Sequence, residues 1–160
     1  MNKSDTNKNL LIEKLKQGSK WIAVLCILAA LVNLAAAVMR IISVKVYAHQ
    51  SIAEYTIIRQ CITYVLSAVI MAIAAVLFFR IAKEGIPFTV QNVRAVRFIG
   101  ILFLLNALIP SVAAAGMSEH YTSFLDLSNP SAFIEGLLFL FIAHIIRYGA
   151  MLQQESDETL

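Results

Sequence analysis

The sequence predicts an all-α membrane protein with four transmembrane helices and both termini in the cytoplasm. Apolar residues make up 59% of the 160 residues and charged residues only 14%, whereas about a quarter of a soluble domain is usually charged. Four apolar segments are each long enough to cross a bilayer, which takes about 20 helical residues. The basic residues cluster in the segments that would face one side of the membrane.

The four spans are predicted from their length and their lack of charge. They cover residues 21–39, 61–79, 98–116 and 132–152. The first three contain no charged residue, and the fourth carries Glu135 and Arg147 near its ends, where long side chains can reach the interface. We expect helices because lipid cannot satisfy exposed backbone groups. A cleaved signal peptide is the competing interpretation of the first span.

The spans divide the chain into three parts. Residues 1–20 form a basic cytoplasmic arm, which we expect to be disordered up to about Asn9 and then to form a short helix. Residues 21–152 form the four-helix transmembrane domain. Residues 153–160, with the sequence QQESDETL, form an acidic cytoplasmic tail that we expect to be solvated.

The basic residues set the predicted orientation, because Lys and Arg are enriched in cytoplasmic loops. Ten of the 13 Lys and Arg flank the spans on the side of the two termini: Lys3, Lys8, Lys14, Lys16, Lys20, Arg80, Lys83, Arg94, Arg97 and Arg147. The other side has only Arg40, Lys45 and Arg59. Both termini and the connector between the second and third spans are therefore expected in the cytoplasm, and the protein in the plasma membrane.

The polar segment between the second and third spans predicts a helix break followed by an amphipathic helix. Gly85 suits a left-handed C-cap, and Pro87 cannot continue a helix. Thr89 suits the N-cap of the third helix. Arg94 and Arg97 follow on one side of that helix, where we expect them to contact anionic headgroups at the inner surface. A docking surface for a cytoplasmic protein is the alternative.

Two segments carry a resemblance to a known family. The sequence PFTVQNVRAVRFIG leads into the third span, and HIIRYGAMLQQESDETL ends the chain. Together they resemble the domain of unknown function 2975, a family of small bacterial membrane proteins with four helices. The residues that carry the resemblance are Pro87, Phe88, Thr89, Asn92, Gly149 and Leu152.

The resemblance implies an architecture and a partner. It implies a four-helix protein of the bacterial inner membrane, and no mechanism, since the family has no established biochemical activity. Members are often encoded beside a small helix-turn-helix transcription regulator, so the resemblance implies a partnership with such a regulator. Thr89 and Asn92 thereby join Arg94 and Arg97 as candidate contacts to a partner or to headgroups.

Further candidate residues lie within or near the spans. One polar residue falls at similar depth in each of the first three spans, namely Asn33, Ser67 and Asn106. We expect their hydrogen bonds to hold the helices together, and a small ligand or ion site is the alternative. Glu135 lies near the outer surface, and we expect it to pair with Arg59 or Arg40.

Two features concern helix packing. Ala29, Asn33 and Ala37 are spaced by four residues, and such small side chains let helices approach closely within one chain or between two copies. Pro110 is predicted to kink the third helix.

The sequence predicts no enzyme. It contains neither a Gly-x-Ser-x-Gly nor a His-Glu-x-x-His motif and no ligand spacing typical of a metal or cofactor site. We expect a non-enzymatic accessory or regulatory protein that couples the state of the membrane to a cytoplasmic partner. The expected partners are membrane lipids, a cytoplasmic regulatory protein and further copies of the chain, without direct nucleic-acid binding. The alternative is an oligomeric channel or transporter subunit, with Asn33 and Asn106 facing its lumen.

Overall fold

The computed structural model consists of four α-helices. They are α1 (Lys3–Tyr47), α2 (Ser51–Glu84), α3 (Val90–Met117) and α4 (Pro130–Glu158). The structure describes residues 3–47, 51–117 and 129–158. Each helix is long and apolar enough to cross a membrane, and each predicted span lies within one of them. The all-α class is therefore confirmed, with four helices that are each long and apolar enough to span a membrane.

The first and last helices extend further than the sequence predicted. α1 begins at Lys3 and runs without a break into the first span, in place of the disordered start and separate short helix expected before residue 20. Residues 10–17 are mostly strong helix formers, so nothing there ends the helix. α4 continues to Glu158, because the acidic tail contains neither glycine nor proline up to that point.

The helices form an open row, in which each helix packs against its neighbours in sequence. α1 packs on α2, α2 on α3, and α3 on α4, and within the described ranges no other two helices pack together. α2 and α3 therefore occupy the middle of the row. α1 and α4 form its two edges, and most of their large apolar side chains are exposed.

Small side chains form the seam between α1 and α2. Six residues of α1 follow the alternating three- and four-residue spacing of a coiled coil: Ser19, Ala23, Cys26, Ala30, Asn33 and Ala37. Ser19, Ala23 and Ala37 are buried, and the Cys61 thiol of α2 lies 3.7 Å from the Ala37 carbonyl oxygen. Such small residues let two backbones come close. The predicted stripe through Ala29 covered only part of this seam.

The remaining three helices share an apolar core. Its buried members are Ile70, Leu77, Ile81, Val96, Ile99 and Ala143. Phe103 of α3 stacks on Phe139 of α4, with ring centroids 5.3 Å apart. This core fixes α3 between α2 and α4 and so determines which residues at the ends of the helices become neighbours.

α3 and α4 cross at a pair of glycines. A β-carbon at Gly136 would lie 2.9 Å from the Gly100 carbonyl oxygen and 2.8 Å from the side chain of Leu104. A β-carbon at Gly100 would lie 3.0 Å from the Gly136 carbonyl oxygen. Carbon and oxygen normally approach to about 3.3 Å, so this crossing depends on the absence of both side chains.

Candidate functional site

The connector between α2 and α3 is capped at both ends as the sequence predicted. Gly85 has φ 75°, and its N–H donates to the Ile81 carbonyl at 2.7 Å, which is the expected left-handed C-cap. The Thr89 hydroxyl accepts a hydrogen bond from the Asn92 N–H at 3.2 Å, as expected of an N-cap. Both capping predictions are confirmed.

Asn92 holds this connector from inside the protein. Its side chain is 1% exposed, and its amide donates to the carbonyls of Ile86 at 3.3 Å and Pro87 at 3.1 Å. The sequence placed Thr89 and Asn92 among the contacts to a partner or to headgroups. In the structure the Asn92 side chain bonds to the backbone of the connector and the Thr89 side chain to the first turn of α3, so their role here is to fix the connector.

The connector also contacts both edge helices. A β-carbon at Gly85 would lie 2.6 Å from Cε of Lys16, so this α1 side chain lies over the end of α2, where a cation interacts favourably with the last carbonyls. A β-carbon at Gly149 of α4 would lie 3.3 Å from Cδ1 of Phe88. The two segments that carry the family resemblance therefore meet at Phe88 and Gly149, whereas Leu152 is exposed.

A basic groove lies between the first turns of α3 and the last turns of α4. Its volume is about 380 Å³. Arginines, apolar residues and one amide line it: Val90, Val93, Arg94, Arg97, Arg147, Ala150, Met151 and Gln154. We call it the arginine groove. Arg94 and Arg97 lie on one side of α3 because they are three residues apart, and the packing of α4 on α3 brings Arg147 to the same level.

Sequence reasoning selected Arg94 and Arg97 but used Arg147 only to orient the chain. The signal that could have found Arg147 was its position near the C-terminal end of the last predicted span. That signal is insufficient without knowing that α4 packs against α3. All three arginines are exposed, so their guanidinium groups are accessible from outside the protein.

The arginine groove has the chemistry of an anion site. Guanidinium groups remain charged at all physiological pH values and match the geometry of phosphate oxygens. The lining residues given above include no carboxylate to neutralise them. Its apolar residues offer a surface for hydrocarbon beside that charge.

The structure brings together two of the three polar residues predicted within the spans. Nδ2 of Asn106 donates to Oγ of Ser67 at 3.4 Å, which is a long hydrogen bond between α3 and α2. Asn33 instead donates to the Ala29 carbonyl of its own helix at 2.8 Å. Asn106 is only 2% exposed, so it lies inside the protein and on no surface that could line a lumen between copies.

The expected ion pair of Glu135 is not formed in the described part of the chain. Glu135 is exposed on α4, and α4 packs against α3 alone. Its predicted partners Arg40 and Arg59 belong to α1 and α2, and α4 packs against neither of these helices. The prediction paired residues by their expected depth in the membrane, and depth does not say which helices are neighbours.

Comparison of the chain with protein-family models, curated proteins and solved structures finds no match. The resemblance to the domain of unknown function 2975 therefore stays a prediction from its motif residues. The function of the chain has to be argued from its own geometry.

Proposed function

We propose that this chain is a non-enzymatic protein of the plasma membrane whose arginine groove binds anionic lipid headgroups on the cytoplasmic side. The observation that carries the proposal is the convergence of arginines from two helices on one groove. The orientation is supported by the excess of Lys and Arg at that end of the helices. Because the groove lies at the ends of the spans, it falls at the depth of the headgroups.

The expected strength of binding follows from the number of cations. A basic residue near an anionic surface contributes about 1 kcal/mol, so Arg94, Arg97 and Arg147 together would contribute about 3 kcal/mol. At 1.4 kcal/mol per tenfold change, this is a preference of roughly 140-fold for an anionic over a neutral headgroup. A protein with this preference responds to the lipid composition of its own leaflet.

The proposal extends to a cytoplasmic partner, which we infer to be a regulatory protein such as the helix-turn-helix regulator implied by the family resemblance. Two structural features support a connection between the groove and the cytoplasmic surface. α4 continues past Gln154 of the groove to Glu158. The start of α3 is joined through Asn92 to the connector that Lys16 of α1 contacts. A lipid in the groove would therefore be linked to three segments that we expect to face the cytoplasm, namely the end of α4, the connector between α2 and α3, and the start of α1.

Lipid binding is tested with a groove variant and a charge-matched control. The groove variant carries Arg94→Gln, Arg97→Gln and Arg147→Gln. The control carries Lys14→Gln, Lys20→Gln and Lys83→Gln, which remove the same charge from exposed positions that do not line the groove. In native mass spectrometry with phosphatidylglycerol and phosphatidylcholine, the wild type and the control should prefer phosphatidylglycerol and the groove variant should not. An equal loss in both variants would show that only net charge matters.

The regulatory part is tested separately by cross-linking in native membranes. The wild-type chain should recover a cytoplasmic protein, and the groove variant should recover less of it at equal expression. Recovery of lipid alone by the wild type would remove the partner from the proposal and leave the lipid site intact.

A further inference from the structure

The arginine groove carries more positive charge than a single phosphate balances. Its described lining residues include three arginines and no carboxylate, and all three guanidinium groups stay charged at physiological pH. A phosphodiester carries one negative charge. A headgroup with one phosphate therefore leaves two of the three guanidinium groups without a counter-charge, whereas a headgroup with two phosphates leaves one.

The three arginine side chains lean towards one level of the groove. The glycine crossing and the contact of Phe88 with Gly149 show that α3 and α4 are antiparallel. Because the Cα–Cβ bonds of a helix tilt towards its N-terminus, Arg94 and Arg97 lean towards the connector. Arg147 belongs to the antiparallel helix and leans away from the connector. The arginines of the two helices therefore lean towards each other along the groove.

The arginines divide into a pair on one helix and a single residue on the other. Arg94 and Arg97 are three residues apart, which makes them neighbours on the surface of α3. Arg147 lines the groove from α4. A guanidinium group can donate two parallel hydrogen bonds to one phosphate. The groove thus offers one phosphate position at the pair and a second position across the groove at Arg147.

An apolar surface continues from the arginines along α3. Ile101 and Leu105 follow Arg97 in steps of four residues, so they lie on the same side of the helix. Their side chains are 42% and 39% exposed. Acyl chains attached to a headgroup in the groove would lie along this surface, whereas a soluble phosphate compound would leave it uncovered. The apolar surface favours a lipid as the source of the phosphates.

We propose that the arginine groove binds a phospholipid whose headgroup carries two phosphates, as in cardiolipin, with one phosphate at Arg94 and Arg97 and the other at Arg147. Basic pockets between membrane helices on the cytoplasmic side are a known setting for such headgroups. The inference rests on the proposed function, because it specifies the headgroup that the same groove binds.

The test compares cardiolipin with phosphatidylglycerol at equal phosphate concentration, by native mass spectrometry of the full chain. The wild type should bind cardiolipin about tenfold more tightly, which corresponds to one additional charge-assisted contact. Arg147→Gln should abolish this preference, because it removes the partner of the second phosphate. The same variant should still prefer phosphatidylglycerol to phosphatidylcholine through Arg94 and Arg97, which shows that its groove is intact. Lys83→Gln removes the same charge from an exposed position outside the groove and should change neither preference.

The outcomes separate this inference from the proposed function. Equal binding of cardiolipin and phosphatidylglycerol by the wild type would overturn the two-phosphate site, and a retained preference for phosphatidylglycerol over phosphatidylcholine would leave the proposed function standing. An unchanged cardiolipin preference in Arg147→Gln, or an equal loss in Lys83→Gln, would also overturn the site. Displacement of cardiolipin by its soluble, deacylated headgroup at comparable concentration would overturn the lipid as the source of the phosphates.

Discussion

The glycine crossing of α3 and α4 gives the sharpest stability prediction. Replacing Gly136 by alanine would place a β-carbon 2.9 Å from the Gly100 carbonyl oxygen and 2.8 Å from Leu104. The leucine side chain can rotate away, but the carbonyl belongs to the backbone of α3, so the two helices must separate by a few tenths of an ångström. Overpacking of this kind costs about 1–3 kcal/mol. We expect Gly136→Ala to lower the free energy of unfolding by that amount, and Gly100→Ala to lower it similarly.

The measurement is reversible unfolding in mixed micelles, followed by circular dichroism. Gly18→Ala is the matched control, because a β-carbon there would meet nothing within 4 Å and alanine is about 1 kcal/mol better than glycine inside a helix. The control should therefore be neutral or more stable than the wild type. If Gly136→Ala is as stable as Gly18→Ala, the two helices do not cross as closely as described.

Three further predictions concern the connector and the seam of α2 and α3, and each can be checked in the same unfolding assay. Gly85→Ala should cost about 1–2 kcal/mol, because φ is 75° and Lys16 occupies the space of the new methyl group; retained stability would mean that the left-handed cap is dispensable. Asn92→Leu should cost about 1–3 kcal/mol through two lost hydrogen bonds to connector carbonyls, and a stabilised variant would contradict this role. Ser67→Ala should cost only about 0.6 kcal/mol, as is typical of hydrogen bonds between membrane helices; a loss above 2 kcal/mol would give the contact with Asn106 a larger role than its 3.4 Å length suggests.

Features set by local chemistry could be predicted from the sequence. The spans follow from apolar length, and the caps at Gly85, Thr89 and Asn129 follow from backbone conformation and side-chain acceptors within a few residues. The small-residue seam of α1 could also have been predicted from the sequence. The predicted stripe of Ala29, Asn33 and Ala37 has a spacing of four, whereas the alternating spacing from Ser19 to Ala37 is that of a heptad.

Features set by helix order could not be predicted. Whether Arg147 joins Arg94 depends on which helices are neighbours, and periodicity within one helix does not contain that information. The expected pairing of Glu135 with Arg59 failed for the same reason. The burial of Asn92 could not be predicted either. A polar residue close to two arginines in the sequence suggests an exposed position, and only the structure shows that its side chain bonds to the connector.

The unbroken course of α1 has a mechanical consequence. Its 45 residues form a rod of about 67 Å, more than twice the thickness of the hydrocarbon core. A tilt of about 10° around Tyr47 would carry Lys3 sideways by roughly 12 Å, given that length. A change in the tilt of α1 at one face of the membrane therefore becomes a larger displacement at the far end of the helix.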